Sequence, residues 1–583
     1  MRQPRSAWNT SNALVVCFVA LTMASLLYFP NMGGVGLGLP FNTLVYTLLG
    51  ALMLLILWRP FGHRGWLVTP GAVCFTLGVA LLALPLAFAS ETDSHVAAWR
   101  VAGLLAGWGI YCCWLQLRLN FRWRHAWVVW LLLLIGGQAV LALLQLFWPA
   151  WSWVPLRGSR VYGIFQQPNV LGSLLATGLA LVLMLMLLPG YALASVRGER
   201  GRQTALAALL VLLVALLVWV QSRTGWLAGG LLPIGYWALF GRRLARRLMV
   251  ASGLMLLGCG LGIAVLLGAS GDGAPLSHAL SNQARLSMLQ DTLKMIAAHP
   301  LTGWGYGSFE VAFQHFRIGQ RPPTPVLEIA RHPHNEVLLW WLEGGVTALL
   351  GMLAIACGAG RVLWQAWRHD RRAFAAGRRS AGEASALCLA MLPMVLHCQL
   401  EYPFYVSALH WLVFALMLAT LDRLSCRHAC VVGRVGPGVM ALRVGGGLLC
   451  LCGMAMMLVM FRSGLTLTHV ERGGLRDIRP LLAMSPLAAW GFEQRRAFDL
   501  QTFQLLVYNR THDETLLDGY AGWARDYLTL RIDANVYANL IAILRHRQQW
   551  AEAERYRNSA ALLFPADRRF FQHKNSKEKG TRR

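Results

Sequence analysis

Residues Arg331-His332-Pro333-His334-Asn335-Glu336 run directly into the apolar Val337-Leu338-Leu339-Trp340-Trp341. Imidazole is the side chain best suited to exchanging a proton near neutral pH. Pro333 suits the first turn of a helix, where its missing N–H costs nothing, so the spacing predicts His334 and Asn335 at a helix N-terminus. Free backbone N–H groups and the positive end of the helix dipole gather there, which suits a phosphate. As a zinc site, His332 and His334 lack a third convincing ligand, although Glu328 and Glu336 are near. A histidine pair in a loop is otherwise unremarkable.

Other segments place arginines beside polar groups. Arg160 precedes Tyr162-Gly163-Ile164-Phe165-Gln166-Gln167-Pro168-Asn169, a run rich in side-chain amides, and Arg223 sits in the short turn Gln221-Ser222-Arg223-Thr224-Gly225. Arg285 opens an amphipathic stretch that runs on to His299-Pro300-Leu301-Thr302-Gly303-Trp304-Gly305-Tyr306-Gly307. Each arginine alone reads as an interfacial or helix-capping residue, whereas three on one face beside a long loop suggest an anion site. His397 and Glu401 lie four apart and share a helix face, which fits either catalysis or a helix-end ion pair worth about 0.3–0.5 kcal/mol. Glu343, seven after Glu336, reads as satisfying a neighbour inside a bundle.

The elements that must position these residues follow from composition. Of 583 residues, 56% are hydrophobic and 14% charged, with mean hydropathy +0.48. An ordinary soluble protein cannot hide that much apolar surface, so the sequence predicts an all-α, polytopic helical membrane protein. Thirteen apolar runs are long enough to cross a bilayer: 13–29, 41–58, 66–88, 97–117, 126–148, 170–188, 204–221, 225–240, 248–268, 336–358, 384–400, 405–421 and 439–461. The first follows a short basic segment but lacks a small-x-small cleavage site before Pro30, and it reads as an anchor.

Net charge is +27, yet only four residues are lysine and three of these fall in the last ten, so the arginines read as topological signals rather than nucleic-acid contacts. With residues 1–5 inside, the inward loops hold 23 basic residues and the outward loops eight: Arg157, Arg160, Arg223, Arg285, Lys294, Arg317, Arg321 and Arg331. The positive-inside rule then places 269–335 and the C-terminal tail outside. All 12 cysteines lie in spans or inward loops, so disulfides are not expected to hold the outward parts together.

The expected organisation is helices 1–9 over 1–268, a large outward loop over 269–335, helices 10–13 over 336–461, a soluble helical domain over 462–570 and a basic tail over 571–583. Half of all acids, 13 of 26, sit in the last 122 residues. Tyr537, Leu540, Leu544, Trp550, Ala553, Ala560 and Pro565 fit one tetratricopeptide-type hairpin, with Arg557 replacing a large apolar residue. A lone hairpin cannot bury its apolar face, so it is expected to stack on helices from 480 to 530.

The order of Arg160 to Asn169, Ser222-Arg223, Arg285 through Gly305, and His334-Asn335 followed by Glu343-Gly344-Gly345 resembles the bacterial protein O-oligosaccharyltransferases (pilin-glycosylation ligases), within the O-antigen ligase and polymerase superfamily. Glu401-Tyr402-Pro403 and the C-terminal helical domain resemble the protein-glycosylating branch in particular. The resemblance implies a multi-pass protein of the bacterial inner membrane with a cytoplasmic N-terminus. Its active site and C-terminal domain would be periplasmic, where a glycan moves from undecaprenyl pyrophosphate to a Ser or Thr hydroxyl of a pilin-like or periplasmic acceptor.

On this reading Arg223 and Arg285 clamp the pyrophosphate, and His334 is the candidate base or orienting group. Arg160, Gln167, Asn169, His332, Asn335, Glu401 and Tyr402 position substrates. No cofactor and no metal are expected: residues 31–40 carry no acidic pair, and Glu91-Thr92-Asp93 reads as solvent-facing. Lipid A core or a second lipid-linked repeat remains open as acceptor. A polyisoprenoid or sugar transporter is disfavoured, because inverted repeats are absent and the polar residues crowd one side.

Overall fold

The computed structural model describes residues 6–59, 65–89, 91–158, 160–268, 279–427, 429–432 and 436–571, without the side chains of 6–11, 91–94, 279–281 and 432. The basic N-terminal segment, Arg64, residues 269–278 of the long loop, Arg434, the basic tail from 572 and the side chains of Glu91 and Asp93 lie outside that description. The fold is helical, with a single two-stranded sheet among the described residues. Ten helices there are long and apolar enough to cross a membrane, and Asn12–Ala24 and Glu383–Cys398 are shorter apolar helices.

The chain is a polytopic helical membrane protein, and each of the thirteen apolar runs falls largely on helix. The runs at 225–240 and 248–268 share one 46-residue helix, Arg223–Gly268, interrupted at Leu244 (φ −127°, ψ 22°) within the Arg242, Arg243, Arg246, Arg247 cluster. The run at 66–88 opens with a strand instead: Trp66–Val68 pairs antiparallel with Cys430–Val432, in the register Trp66 to Val432. The Gln116 amide both accepts from Leu67 N and donates to Leu67 O, at 2.9 and 3.0 Å. Side-chain pairing of this kind satisfies a strand's backbone where hydropathy alone reads helix.

Contacts divide the chain into two compact units, one of residues 1–80, 102–276 and 351–468, the other of 81–101, 277–350 and 469–583. Helix Pro168–Leu187 is the core of the first. Its apolar stretch is buried throughout, and it packs on Phe121–Phe147, Val196–Val220, Arg223–Gly268 and Glu383–Cys398. A helix apolar all round belongs in such a position. Gly172 permits one of these approaches: a Cβ there would meet the Ser222 side chain at 2.7 Å.

The second unit holds the C-terminal helices Glu493–Thr511, Glu514–Leu530, Ala534–His546 and Trp550–Leu563, which pack in sequence order. Asp513 caps Thr515 N at 3.0 Å, and Asp533 caps Asn535 N and Val536 N at 2.8 and 3.1 Å, so the first two breaks carry their own start signals. Tyr537, Leu540, Leu544, Ala553 and Ala560 are buried in one core with Leu517, Tyr520 and Leu528, which is the stack a lone hairpin needs. Trp550 departs from the repeat pattern: it opens its helix and is 62% exposed. Arg557 turns its guanidinium to Glu554 and to Phe570 O (2.9 Å), so the substituted position is satisfied by polar partners.

Asp499 is buried beside Glu471, whose carboxylate is forked by Arg495 at 2.6 and 2.6 Å. Burial first, and then the Glu471 charge, push the Asp499 carboxyl up from 3.8 to about 7. A folded-state value above the unfolded one stabilises the protein below the unfolded value, and that stabilisation is lost as pH rises through the folded value. Thermal unfolding of the detergent-solubilised protein is therefore expected to shift to lower temperature between pH 5 and pH 8. The shift should shrink in Asp499→Asn, and an unchanged pH slope in that variant would refute the assignment.

Candidate active site

In the first unit, the amide-rich segment is held from behind by two buried glutamines of helix Phe121–Phe147. Gln145 Oε1 accepts from Tyr162 N (3.1 Å) and Gly163 N (2.9 Å), its amide donates to Gly163 O (3.0 Å), and Gln138 Oε1 accepts from Ile164 N (3.2 Å). Tyr162 Oη donates to Pro155 O at 2.5 Å and accepts from Arg157 N at 2.7 Å. A buried loop needs such partners for its backbone, and here they fix where residues 166–169 emerge. Gln166 sits at φ 58°, Gln167 precedes the helix, and Pro168 occupies its first turn.

Gln167 Nε2 and Asn169 Nδ2 then donate to the two oxygens of Glu401, at 3.1 and 2.6 Å. Glu401 is 3% exposed. The expected pairing of His397 with Glu401 is present at 3.4 Å, and the other ring nitrogen meets Ser173 Oγ at 2.9 Å. Each oxygen of this buried carboxylate thus faces an amide donor, and an imidazole stands beside it, which offsets part of the cost of burying the charge. Tyr402 follows, half-buried, its ring 6.4 Å from Tyr405.

Arg160 and Arg223 meet the same turn. Gln221 is left-handed (φ 50°) and ends helix Val196–Val220, Ser222 Oγ accepts from Gly225 N at 3.0 Å, and Arg223 opens the next helix. Arg160 Nη1 donates to Gln221 O at 3.4 Å. Two arginines that hydropathy leaves unexplained are therefore gathered at one helix N-terminus.

In the second unit, the helix after the histidine segment starts at Glu336, three residues beyond Pro333. The spacing argument placed the proline inside the helix. Instead Asn335 is the cap, accepting from Leu338 N at 3.0 Å, and His334 stands just before it in the left-handed region, φ 58°. A non-glycine residue there costs about 1–2 kcal/mol and persists only where the surroundings impose it. The imposing contact is His332, buried, whose Nδ1 accepts from His334 N at 2.9 Å while Nε2 faces Glu336 at 3.4 Å. His332 thus positions the loop, and His334, half-buried, is the ring it presents.

Glu343 is a structural knot, as its expected role of satisfying a neighbour implied. It accepts from Gly307 N (3.1 Å) and Phe309 N (3.2 Å) and pairs with Arg100 at 2.7 Å. Helix Glu336–Ala375 breaks two residues later, where Gly345 (φ 58°, ψ −150°) lets Val346 N reach Leu301 O at 3.0 Å. A Cβ at Gly345 would lie 2.2 Å from Leu301 O, so only glycine fits. Glu343→Ala leaves the Arg100 guanidinium buried without that carboxylate and is expected to destabilise the protein by about 3 kcal/mol. Glu343→Gln should recover part of this, and chemical denaturation with no loss of stability would show the pair to be dispensable.

Two other cations that the charge bias places outward are spent on internal partners. Arg317 is buried and bonded to Asp291 (3.2 Å), Ser287 Oγ (3.0 Å) and Pro325 O (2.8 Å). Arg331 pairs with Glu310 at 3.3 Å, and Glu310 also takes Arg531 (2.7 Å) and Ile532 N (3.2 Å) of the helical domain. Glu310 and Arg100 are not legible in the sequence, because pairings with partners as distant as Arg531 and Glu343 leave no local signal. Arg285 lies half-buried on helix Ala279–Ala298. The structure therefore joins Gln167, Asn169 and Glu401, brings Arg160 to the turn of Arg223, and joins His332, His334 and Asn335 to one helix start. No group of three or more His, Cys, Asp or Glu side chains converges among the described residues.

Three family models match the chain: Protein glycosylation ligase over residues 161–185, O-Antigen ligase over 208–353, and Virulence factor membrane-bound polymerase, C-terminal, over 385–578. The chain is similar to the O-antigen ligase superfamily and to its protein glycosylation ligases. No curated protein matches it. The first segment contains Gln167 and Asn169, the second Arg223, Arg285 and the histidine loop, and the third Glu401. The similarity indicates a glycosyl-transferring enzyme of the ligase type.

Proposed function

We propose that this protein is an O-oligosaccharyltransferase that moves a glycan en bloc from undecaprenyl pyrophosphate to Ser or Thr hydroxyls of periplasmic or pilin-like proteins, without a metal. The observation that carries this reading is the Glu401 carboxylate held by Gln167 and Asn169. It ties the segment resembling a protein glycosylation ligase to the segment that continues into the C-terminal region.

Arg223 and Arg285 would take the pyrophosphate, as planar forks that match phosphate oxygens and stabilise the charge developing as the C1–O bond breaks. Arg160 would add charge at the Arg223 turn. The acceptor oxygen attacks C1, His334 receives its proton, and undecaprenyl pyrophosphate leaves. Single displacement inverts the anomeric centre, so a product with retained configuration would exclude it. Gln167, Asn169, Glu401 and Tyr402 would bind sugar hydroxyls, and His332 and Asn335 hold the loop. The N-terminus would be cytoplasmic, and the site and helical domain periplasmic, in the bacterial inner membrane.

The match named for a membrane-bound polymerase favours a second reading, in which another lipid-linked repeat is the acceptor. Purified protein given lipid-linked glycan together with pilin-like protein, lipid A core and a second lipid-linked repeat separates these. Glycan on the protein supports the proposal, and product on either lipid alone refutes the protein acceptor.

A further inference from the structure

At the end of the first unit that carries Arg118 and Arg423, a cavity of about 250 Å³ is lined by Trp114, Arg118, Arg124, Thr420, Arg423 and Leu424. None of these residues belongs to the candidate active site. Arg124 is held by internal partners, forking Glu383 at 2.7 and 2.8 Å and donating to Leu119 O at 2.7 Å. Asp422, the residue before Arg423, takes the hydroxyls of Thr69 and Tyr111 on its Oδ2. Arg118 and Arg423 form no ion pair among the described residues, and the buried Arg423 Nε has no hydrogen-bond partner there.

The polar groups of the remaining wall are spent internally. Trp114 Nε1 donates to Thr420 Oγ1 at 2.8 Å, and Thr420 donates to Leu416 O at 2.7 Å. The donors left facing the cavity are guanidinium groups, beside an indole and leucine side chains. Basic loops of a membrane protein carry exposed arginines for topology alone. Topology does not account for a buried N–H donor left without an acceptor, which costs about 1–3 kcal/mol.

We infer that this cavity binds a phosphate anion, with Arg423 and Arg118 as its ligands, and that the phosphate is carried by a lipid headgroup. Guanidinium forks match phosphate oxygens, while the indole and leucines suit the adjoining glycerol and the start of an acyl chain. None of its lining residues is assigned to glycan transfer, and the site does not depend on that assignment.

Native mass spectrometry of the delipidated protein in detergent, with phosphatidylglycerol or phosphatidylcholine added, tests it, and calorimetry with inorganic phosphate tells the two sources of phosphate apart. Phosphatidylglycerol is expected to bind the unaltered protein about tenfold more tightly than the Arg118→Gln/Arg423→Gln protein, with phosphatidylcholine insensitive to the change. Inorganic phosphate binding with the same sensitivity and no lipid preference would assign the site to free phosphate and overturn the lipid. Equal binding of every probe to both proteins overturns the site. Arg118→Gln alone, at an exposed side chain, gives the same reading if the double variant fails to fold, through a smaller loss of the same lipid.

Discussion

His334→Gly is expected to lower glycan transfer by a factor of about 100 to 10,000, the usual contribution of a positioned acid or base. Glycine is the informative replacement because residue 334 sits at φ 58°, which glycine adopts without penalty. The backbone at 334 and its bond to His332 Nδ1 are then retained while the imidazole is lost. His334→Ala should lose as much transfer and, in addition, some stability. Intact-mass analysis of the acceptor after expression with each variant, beside a measurement of membrane-inserted protein, reads both effects. Transfer at the unaltered rate in His334→Gly would remove the residue from the chemistry. Loss in His334→Ala with full transfer in His334→Gly would assign it to loop geometry alone.

The second large effect is expected at Arg223. Arg223→Ala should reduce transfer about 100- to 1,000-fold, in line with removal of one donor that stabilises developing negative charge. Arg223→Lys restores the charge but not the planar fork, so it should recover only part of the rate. Arg285→Lys should behave alike if both side chains grip the pyrophosphate, and be nearly silent if Arg285 serves only the interface. The split between KM for the lipid-linked donor and kcat distinguishes ground-state binding from stabilisation at bond breaking. A lysine variant at either position with unaltered kcat and KM contradicts a bidentate contact there.

These tests rest on features of different origin. His334, Arg223 and Arg285 stand out in sequence because they oppose a rule: polar and cationic groups placed where the charge bias of the loops disfavours them. The amide segment at 166–169 is equally visible, as is the four-residue spacing of His397 and Glu401. Its partner is not. The bonds from Gln167 and Asn169 to Glu401 span more than 230 residues, and no local periodicity encodes which buried carboxylate will face which amide.

Charge bias alone does not separate the eight cations expected outward, and the fold does. Arg317 and Arg331 are taken by Asp291 and Glu310, while Arg160 is brought to the turn that bears Arg223. Pro333 shows the limit from the other side. Its preference for a first helical turn is real, but Asn335 is the better cap, so the helix starts at Glu336 and His334 is left in a left-handed conformation.

The sequence by itself determined that the chain crosses a membrane many times and where its helices run, because apolar length and charge bias act along the chain and need no tertiary partner. It also determined which residue types are available for chemistry and that stacked helices follow the last span, as Glu493–Thr511 to Trp550–Leu563 do. Tertiary structure alone decided the ion pairs, the Glu343 knot at the Gly345 break, the strand between Trp66–Val68 and Cys430–Val432, and the conformation of the histidine loop. Apart from the histidine loop, which short-range bonds to His332 and Asn335 shape, each of these rests on partners far apart in the chain. A buried polar group must find a partner, but the sequence does not say which one.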